Sequence, residues 1–332
     1  MIKDTIKQMM KKALFKKSKG VERYPDDSKI LRGYNRCLTF LIGYPTYIKN
    51  IFNFGVLRFL FGHPYKRTIN RNLYIVAIIK NEGKYLEEWL VYHSLIGVKG
   101  FIIYDNGSSD TTRDIINKYK DKFNIDYNFF PGKSMQMPAY RDAVERYKEE
   151  NIWLLTIDAD EFIVPVTVGS ITEWLNSISD NVGQVLIGWM IFGSSGHVKS
   201  PDGLVLDNYR AHATNKHITD YKPIVKPDYV VSANMPHMYN VIGKTIDENG
   251  ARQWFYPYSG LVGSRPASKN KVRINHYYTK SLEDYDIKTK RGDANNAGKN
   301  LKSMNEFKVQ DRNEEQDKLL DRYINELKRL LN

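Results

Sequence analysis

The sequence predicts an α/β fold. A mostly parallel sheet carries helices on both faces, with a helical appendage before it and a helix after it. Two observations carry this reading. Apolar runs at residues 73–79, 100–104, 125–130 and 153–157 alternate with helical stripes, at the spacing of strand–helix–strand units. Three of the runs also stop at polar clusters: Lys80-Asn81-Glu82, Asp105-Asn106 and Asp158-Ala159-Asp160-Glu161. Ligands of parallel sheets bind outside the carboxyl ends of the strands.

Taken in order, the chain opens with Ile2, Ile6, Met9, Met10, Ala13 and Leu14 on one helical stripe and lysines over much of the remainder. Such a helix suits an anionic membrane surface, or packs on the body with a solvated lysine face. Residues 34–62 are rich in aromatics but interrupted by Pro45, Lys49, Asn50, Asn53 and Arg58. No run reaches the ~20 apolar residues a spanning helix needs. An interface-seated module is predicted, giving peripheral membrane contact through residues 1–62.

Charge supports that division. The net charge is +12, and residues 1–72 hold 16 Lys and Arg against 4 Asp and Glu, leaving 34 of each in the remaining chain. A basic appendage on a neutral body argues against a nucleic-acid enzyme, whose site is basic. The single cysteine, Cys37, allows no internal disulfide and fits a reducing compartment. The start lacks the pattern of a secretory signal peptide.

Past Arg71, the first run leads into a stripe of Leu86, Trp89, Leu90 and His93. The second ends at the Asn106-Gly107 turn signal, with Ser109 or Asp110 placed to cap a helix carrying Ile115 and Ile116. Pro138 starts a further helix through Tyr140, Val144 and Tyr147. The run at 153–157 reads as a buried strand, although periodicity alone also permits a buried helical segment. If the chain stays extended, Asp158 and Asp160 share a face. Their repulsion would be relieved by a hard cation, Mg²⁺ or Mn²⁺. A solvated acidic loop is the alternative.

In the second half, residues 188–192 form a predicted strand followed by a Gly-Ser loop and His197. Pro201, Pro223 and Pro227 mark residues 199–235 as a partly irregular excursion, in which Lys222 and Lys226 read as solvated lysines or contacts to an anionic acceptor. His212 and His237 carry no assignment. Residues 272–278 read as a late strand containing His276. Leu319, Leu320, Tyr323, Ile324, Leu327, Leu330 and Leu331 form a final stripe that packs on the body or on a second copy in a homo-oligomer.

The stretches YIVAIIKNEGKYLEEWLVYHSLIGVKGFIIYDNGSSDTT, AYRDAVERYK and LLTIDADEFIVP resemble the nucleotide-sugar half of a GT-A glycosyltransferase. GWMIFGSSGHVKSPDGLVLDNY and INHYYTKSLEDYDIKTKRGDA resemble the acceptor-side motifs of glycosyltransferase family 92 and its bacterial relatives. The resemblance covers roughly residues 73–295. It implies a Rossmann-like catalytic domain at 73–300, divided into a donor half (73–165) and an acceptor half (166–300), with 1–72 and 301–332 outside.

The resemblance further implies that Asp158, Asp160 and His276 hold Mn²⁺ or Mg²⁺. Lys80, Asn81, Glu82, Asp105, Arg141, Asp158 and Lys280 would bind the donor. For Arg141 a salt bridge with Glu145 is the alternative, and Arg291 joins Lys280 in closing over the diphosphate. Inversion requires one base, for which His197, Asp202 and Asp207 stay open. The implied reaction moves a hexose, galactose first, from a UDP-sugar to a glycan or lipid-linked acceptor. It would take place at the cytoplasmic face of the membrane, in surface polysaccharide synthesis. A nucleotidyltransferase, or a non-catalytic glycan-binding or membrane-scaffold protein on the same fold, are the rivals.

Overall fold

The architecture follows from strands whose two faces are both apolar. The computed structural model describes residues 48–62, 71–214, 220–253, 268–291 and 303–331. The lysine-striped helix predicted at the start of the chain lies outside them. Residues 48–54 are helical, and α1 (Val56–Phe61) follows at Gly55.

In β1 (Asn72–Ile79), Leu73, Ile75, Ala77 and Ile79 enter one core while Val76 and Ile78 enter the other. Each large side chain so buried stabilises the fold by roughly 1.5–3 kcal/mol. This is why the run is continuously apolar rather than alternating. The first core is closed by Leu86, Trp89 and Leu90 of α2 (Gly83–Leu95) and by Ile116 of α3 (Thr112–Tyr119). The second is closed by Ala139, Tyr140, Ala143 and Val144 of α4 (Gln136–Arg146). β2 (Gly100–Asp105), β3 (Ile125–Phe129) and β4 (Ile152–Thr156) complete a parallel half-sheet. The N-cap of α3 is Thr111 and makes no side-chain capping bond; Asp110, one of the two caps predicted, lies one residue earlier, where its Oδ1 accepts from the Thr112 N–H at 3.0 Å.

β5 (Glu161–Pro165), α5 (Ile171–Asn176), β6 (Val182–Ile191), α6 (Val205–Asn208), β7 (Ala211–His212) and β8 (Tyr221–Val225) continue the chain. The hairpin β9 (Val230–Met235) and β10 (Met238–Val241) covers the α4 side, and β11 (Lys244–Asp247) pairs with β6. β12 (Val272–His276), α7 (Leu282–Arg291), α8 (Met304–Gln310), β13 (Glu315–Gln316) and α9 (Asp321–Leu331) end it. The large sheet runs β3-β2-β1-β4-β8-β6-β12-β5, with β11 beside β6. The predicted mostly parallel sheet with helices on both faces is what forms.

The excursion expected at 199–235 is largely regular. β8 lies between β4 and β6 and is antiparallel to both. Pro223 is tolerated there because the ladder to β4 takes in only Ile224 and Val225. β5 is likewise reversed, against β12. Two strands therefore begin at the rim where β1, β2, β4, β6 and β12 end. α9 packs on the body, with Ile324 and Leu327 buried and Tyr323 edge-on to Tyr92 at 5.7 Å.

His93 is fully buried between α2 and β5. Its Nδ1 lies 2.8 Å from the Trp89 carbonyl, and its Nε2 accepts the Ile163 N–H at 3.2 Å. Burial drives its pKa from 6.5 down to about 3. The unfolded chain therefore takes up a proton that the folded chain refuses, and this contribution to stability fades as pH falls from 6.5 toward 3. His93→Ala leaves the Ile163 N–H without its acceptor. It should lower stability in urea by about 1–3 kcal/mol, with a shallower loss of stability across that pH range.

Candidate active site

The rim gathers side chains from seven segments. β4 stops at Thr156, and the chain turns, with the Glu161 N–H donating to the Asp158 carbonyl at 3.0 Å. The turn removes the alternation on which a shared face for Asp158 and Asp160 depended, and the two carboxylates take different cations. Asp158 Oδ2 accepts from Lys222 Nζ at 2.9 Å, while its Oδ1 accepts from Gln136 Nε2 at 3.0 Å and from the Tyr140 hydroxyl at 3.4 Å. Asp160 pairs with Lys288, whose Nζ also donates to the Tyr278 carbonyl at 3.0 Å. Lys288 itself lies 4.3 Å from the Tyr278 ring.

Glu161 lies beneath them, fully buried, with Oε2 at 3.3 Å from Lys222 Nζ and accepting the Asp158 N–H. Burial pushes its pKa well up, against the pull of Lys222. Burial raises the Asp158 pKa, yet the charge and hydrogen bond of Lys222 bring it below the ordinary carboxylate value. Lys222 is 1 % exposed, so the solvated lysine expected from the sequence is a buried counter-ion. Burial alone would lower its pKa, but Asp158 and Glu161 reverse that and raise it.

The other residues expected to bind the donor are distributed around the neighbouring loop and beyond it. Asp105 is buried, accepting from the Ser108 N–H at 2.7 Å and the Tyr127 hydroxyl at 2.8 Å. Asn81 takes a left-handed φ of 51° and accepts from the Ser109 N–H at 2.8 Å. Gly83 packs so closely on Thr111 that a Cβ would lie 2.3 Å from its hydroxyl, which fixes Lys80 and Glu82 beside that loop. Lys280, also left-handed at 50°, is buried 4.6 Å over the Tyr85 ring; Asp160 and Glu82 are the carboxylates that act on it most. The salt bridge with Glu145 stated as the alternative for Arg141 does not form. Its Nε donates to the Ala233 carbonyl at 2.9 Å, and Glu145 pairs with Lys148 instead. The side chain of Arg291 lies outside the described residues.

The proposed bases fare unevenly. Asp207 is gripped by Arg210 at 2.7 Å and Lys328 at 2.6 Å, tying α6 to α9. The hydrogen bonds from Lys328 and Arg210 hold its pKa down, which makes it a weak proton acceptor. His197 turns Nε2 to the Asn208 carbonyl at 3.3 Å, while its own carbonyl receives the Leu282 N–H at the start of α7. The carbonyl of Asp202 takes the Asn208 amide at 2.8 Å, and its side chain is exposed. Sequence reasoning passed over Gln136, Tyr140, Glu161, Trp189 and Lys288. A lysine inside the apolar stretch Tyr221–Val225 was the one signal that pointed to Lys222.

A divalent metal fits a reduced set. His276 Nε2 stands 3.7 Å from Asp160 Oδ1 and 3.8 Å from Glu161 Oε1, a buried oxygen with no hydrogen-bond partner. Burial lowers the His276 pKa to about 3, so the imidazole is a neutral ligand. Among the described residues no three His, Cys, Asp or Glu side chains form a ready metal cage. A cation that shares its shell with a diphosphate needs only one or two protein carboxylates or imidazoles, and Asp160 with His276 supplies them. Asp158 is engaged by Lys222, within electrostatic reach of both. Lys222→Met should lower stability by about 3 kcal/mol in denaturant titration, because it strands Asp158 and Glu161. Adding Glu161→Gln should recover part of the loss, as a double-mutant cycle will show.

Comparison with known proteins follows the same geometry. The family model of glycosyltransferase family 92 matches residues 76–326, past the limit at 295 and through half of α9. A family 92 protein of Oryza sativa subsp. japonica is 30% identical over 173 residues, covering 51% of this chain and 28% of its own length. One from Ricinus communis is 31% identical over 175 residues, covering 50% and 31%. The chain thus spans about 30% of the length of these relatives. Among solved structures, S. aureus TarS (residues 1–349) gives a TM-score of 0.36 at 15% identity, over 66% of this chain and 63% of that one. Its complex with UDP gives 0.32 at 17% identity, over 47% of each. Overlap at that level is too loose to carry an inference. On the family match, which takes in most of the sheet and its carboxylate rim, this chain belongs to glycosyltransferase family 92.

Proposed function

We propose that this chain moves a hexose, galactose first, from a UDP-sugar to a hydroxyl of a glycan or lipid-linked acceptor, inverting the anomeric carbon. The observation that carries the reading is the rim cluster of Asp158, Asp160, Glu161, Lys222, Lys288 and His276, which lies inside the family match. In such a transfer, negative charge develops on the departing diphosphate, and fixed positive charge in a partly buried site stabilises it. Lys280 and Lys288 bring that charge to the rim. Lys222 keeps Asp158 ionised and in place. The loop held by Asp105, Asn81 and Ser108 is where the nucleoside would be met, and Lys80 and Glu82 border it. A divalent cation held by Asp160 and His276 would add positive charge at the diphosphate.

A second part of the reading concerns location. Phe59 packs on Tyr229 and Ile242, and the Gly243 N–H donates to its carbonyl at 2.8 Å, which docks residues 48–62 on the body. The other side presents Phe52 at 84 % exposure and Leu57 at 62 %, with Val56 and Leu60 beside them. No acidic residue occurs between Asp27 and Glu82. An exposed apolar patch in a purely basic stretch suits an anionic lipid surface. No helix among the described residues is long and apolar enough to cross a membrane.

Calorimetric titration of UDP into the full chain with Mn²⁺ should show binding that Asp160→Ala abolishes or weakens at least tenfold, about 1.4 kcal/mol. Silence from UDP and from other nucleotides in wild type would favour a glycan-binding scaffold instead. Sedimentation with phosphatidylglycerol vesicles should pull down wild type but not Phe52→Ser/Leu57→Ser, and phosphatidylcholine vesicles should pull down neither. Equal binding of both proteins to the anionic vesicles would remove the patch from the membrane reading.

A further inference from the structure

His237 lies in the connection between β9 and β10, partly buried, and has no role in the site as built so far. Its Nδ1 is 3.0 Å from the Tyr221 carbonyl, an atom that only accepts, so Nδ1 carries the proton and Nε2 is left as a bare lone pair. The ring packs edge-on against Trp189 at 5.2 Å and 80°. Trp189 in turn meets His276 at 4.5 Å and lies 5.7 Å from Lys222 Nζ. One indole therefore separates His237 from the carboxylate–lysine cluster. The charged groups that face it are Lys222, Asp220 and Asp158. Burial and then Lys222 lower its pKa, and Asp220 opposes them without winning, so the ring is neutral near pH 7.

We propose that His237 is the general base of the transfer, a role that rests on the transferase reading above. The acceptor O–H gives its proton to Nε2 as the oxygen lone pair bonds to the anomeric carbon. The bond from that carbon to the diphosphate oxygen breaks, and its electron pair leaves on UDP. Imidazolium then returns the proton to water. Trp189, between base and donor cluster, offers a flat apolar face of the kind that packs on sugar rings, and it fixes the distance between them. The geometry favours His237 over Asp207, which two cations hold, and over His197, whose ring packs on Tyr209 rather than on Trp189 beside the rim cluster.

Two substitutions separate the two nitrogens. In His237→Asn the amide can keep the bond to the Tyr221 carbonyl but has nothing at the Nε2 position. His237→Gln does the reverse. With Mn²⁺ and UDP-galactose or UDP-glucose, and water as acceptor, UDP release is measured from pH 5 to pH 8. His237→Asn should lower kcat by 10²–10⁴-fold with unchanged UDP affinity, and should abolish the acid limb along which wild type loses rate as pH falls. Added imidazole should restore part of the rate. A wild-type rate and acid limb in His237→Asn overturn the proposal, as does Asp220→Asn abolishing the limb while His237→Asn keeps it. Failure of wild type to bind UDP sinks the transferase reading itself, which calorimetry reports separately. Long-range ¹H–¹⁵N spectra of the His237 ring test the tautomer whichever sugar is used, and a proton on Nε2 at neutral pH overturns the proposal.

Discussion

The rim depends on one buried ammonium. Lys222 sits between Asp158 and Glu161 at 2.9 and 3.3 Å, and taking three ionisable groups out of water carries a penalty of several kcal/mol for each charge. The group is tolerable because each partner answers another. Lys222 satisfies Asp158, Glu161 caps the Asp158 N–H, and Gln136 and Tyr140 take the remaining Asp158 lone pairs. A hydrophobic replacement of the whole set would serve stability as well or better, so the set is better explained by what it holds in position. Asp160, one turn further on, is left to face Lys288 and His276.

The sheet explains why these groups meet. β1, β2, β4, β6 and β12 end at the rim, and β5 and β8 begin there, so Glu161 and Lys222 arrive from strands running the other way. Those reversals separate this sheet from a uniformly parallel one. They also place an acid and a base from the starts of two strands against the ends of the others, so the rim carries more charge than strand ends alone would supply.

Much of this was legible in the residues. Both-face burial made β1, β2 and β4 visible as unbroken apolar runs, and their abrupt polar ends located the rim. His276 at the end of β12 and Asp160 beside it were found from motif and order. What was not legible depended on distant pairing. Pro223 looked like a break because a proline cannot donate to a strand ladder, and nothing local reveals that pairing with β4 does not extend to it. Lys222 looked solvated for the same reason: its partners lie more than sixty residues earlier in the chain. The turn at 158–161 was hidden too, since an extended chain and a turn read alike in four residues. Asp207 attracted attention through its motif, yet its cations come from Arg210, just past α6, and from Lys328 of the last helix.

The insertion of β8 between β4 and β6 also has a consequence for how the chain is made. Leu154 pairs with Val225, so β4 keeps an open edge until some seventy further residues have been synthesised. At about 5–20 residues per second that is a wait of several seconds, during which Trp153 to Ile157 is a bare apolar edge on the ribosome. The segments before and after Pro165 interleave through this strand, and through β5 on β12, so a fragment ending near Pro165 would expose two unpaired strands. The natural unit of expression, of circular permutation and of chaperone dependence is therefore the whole sheet.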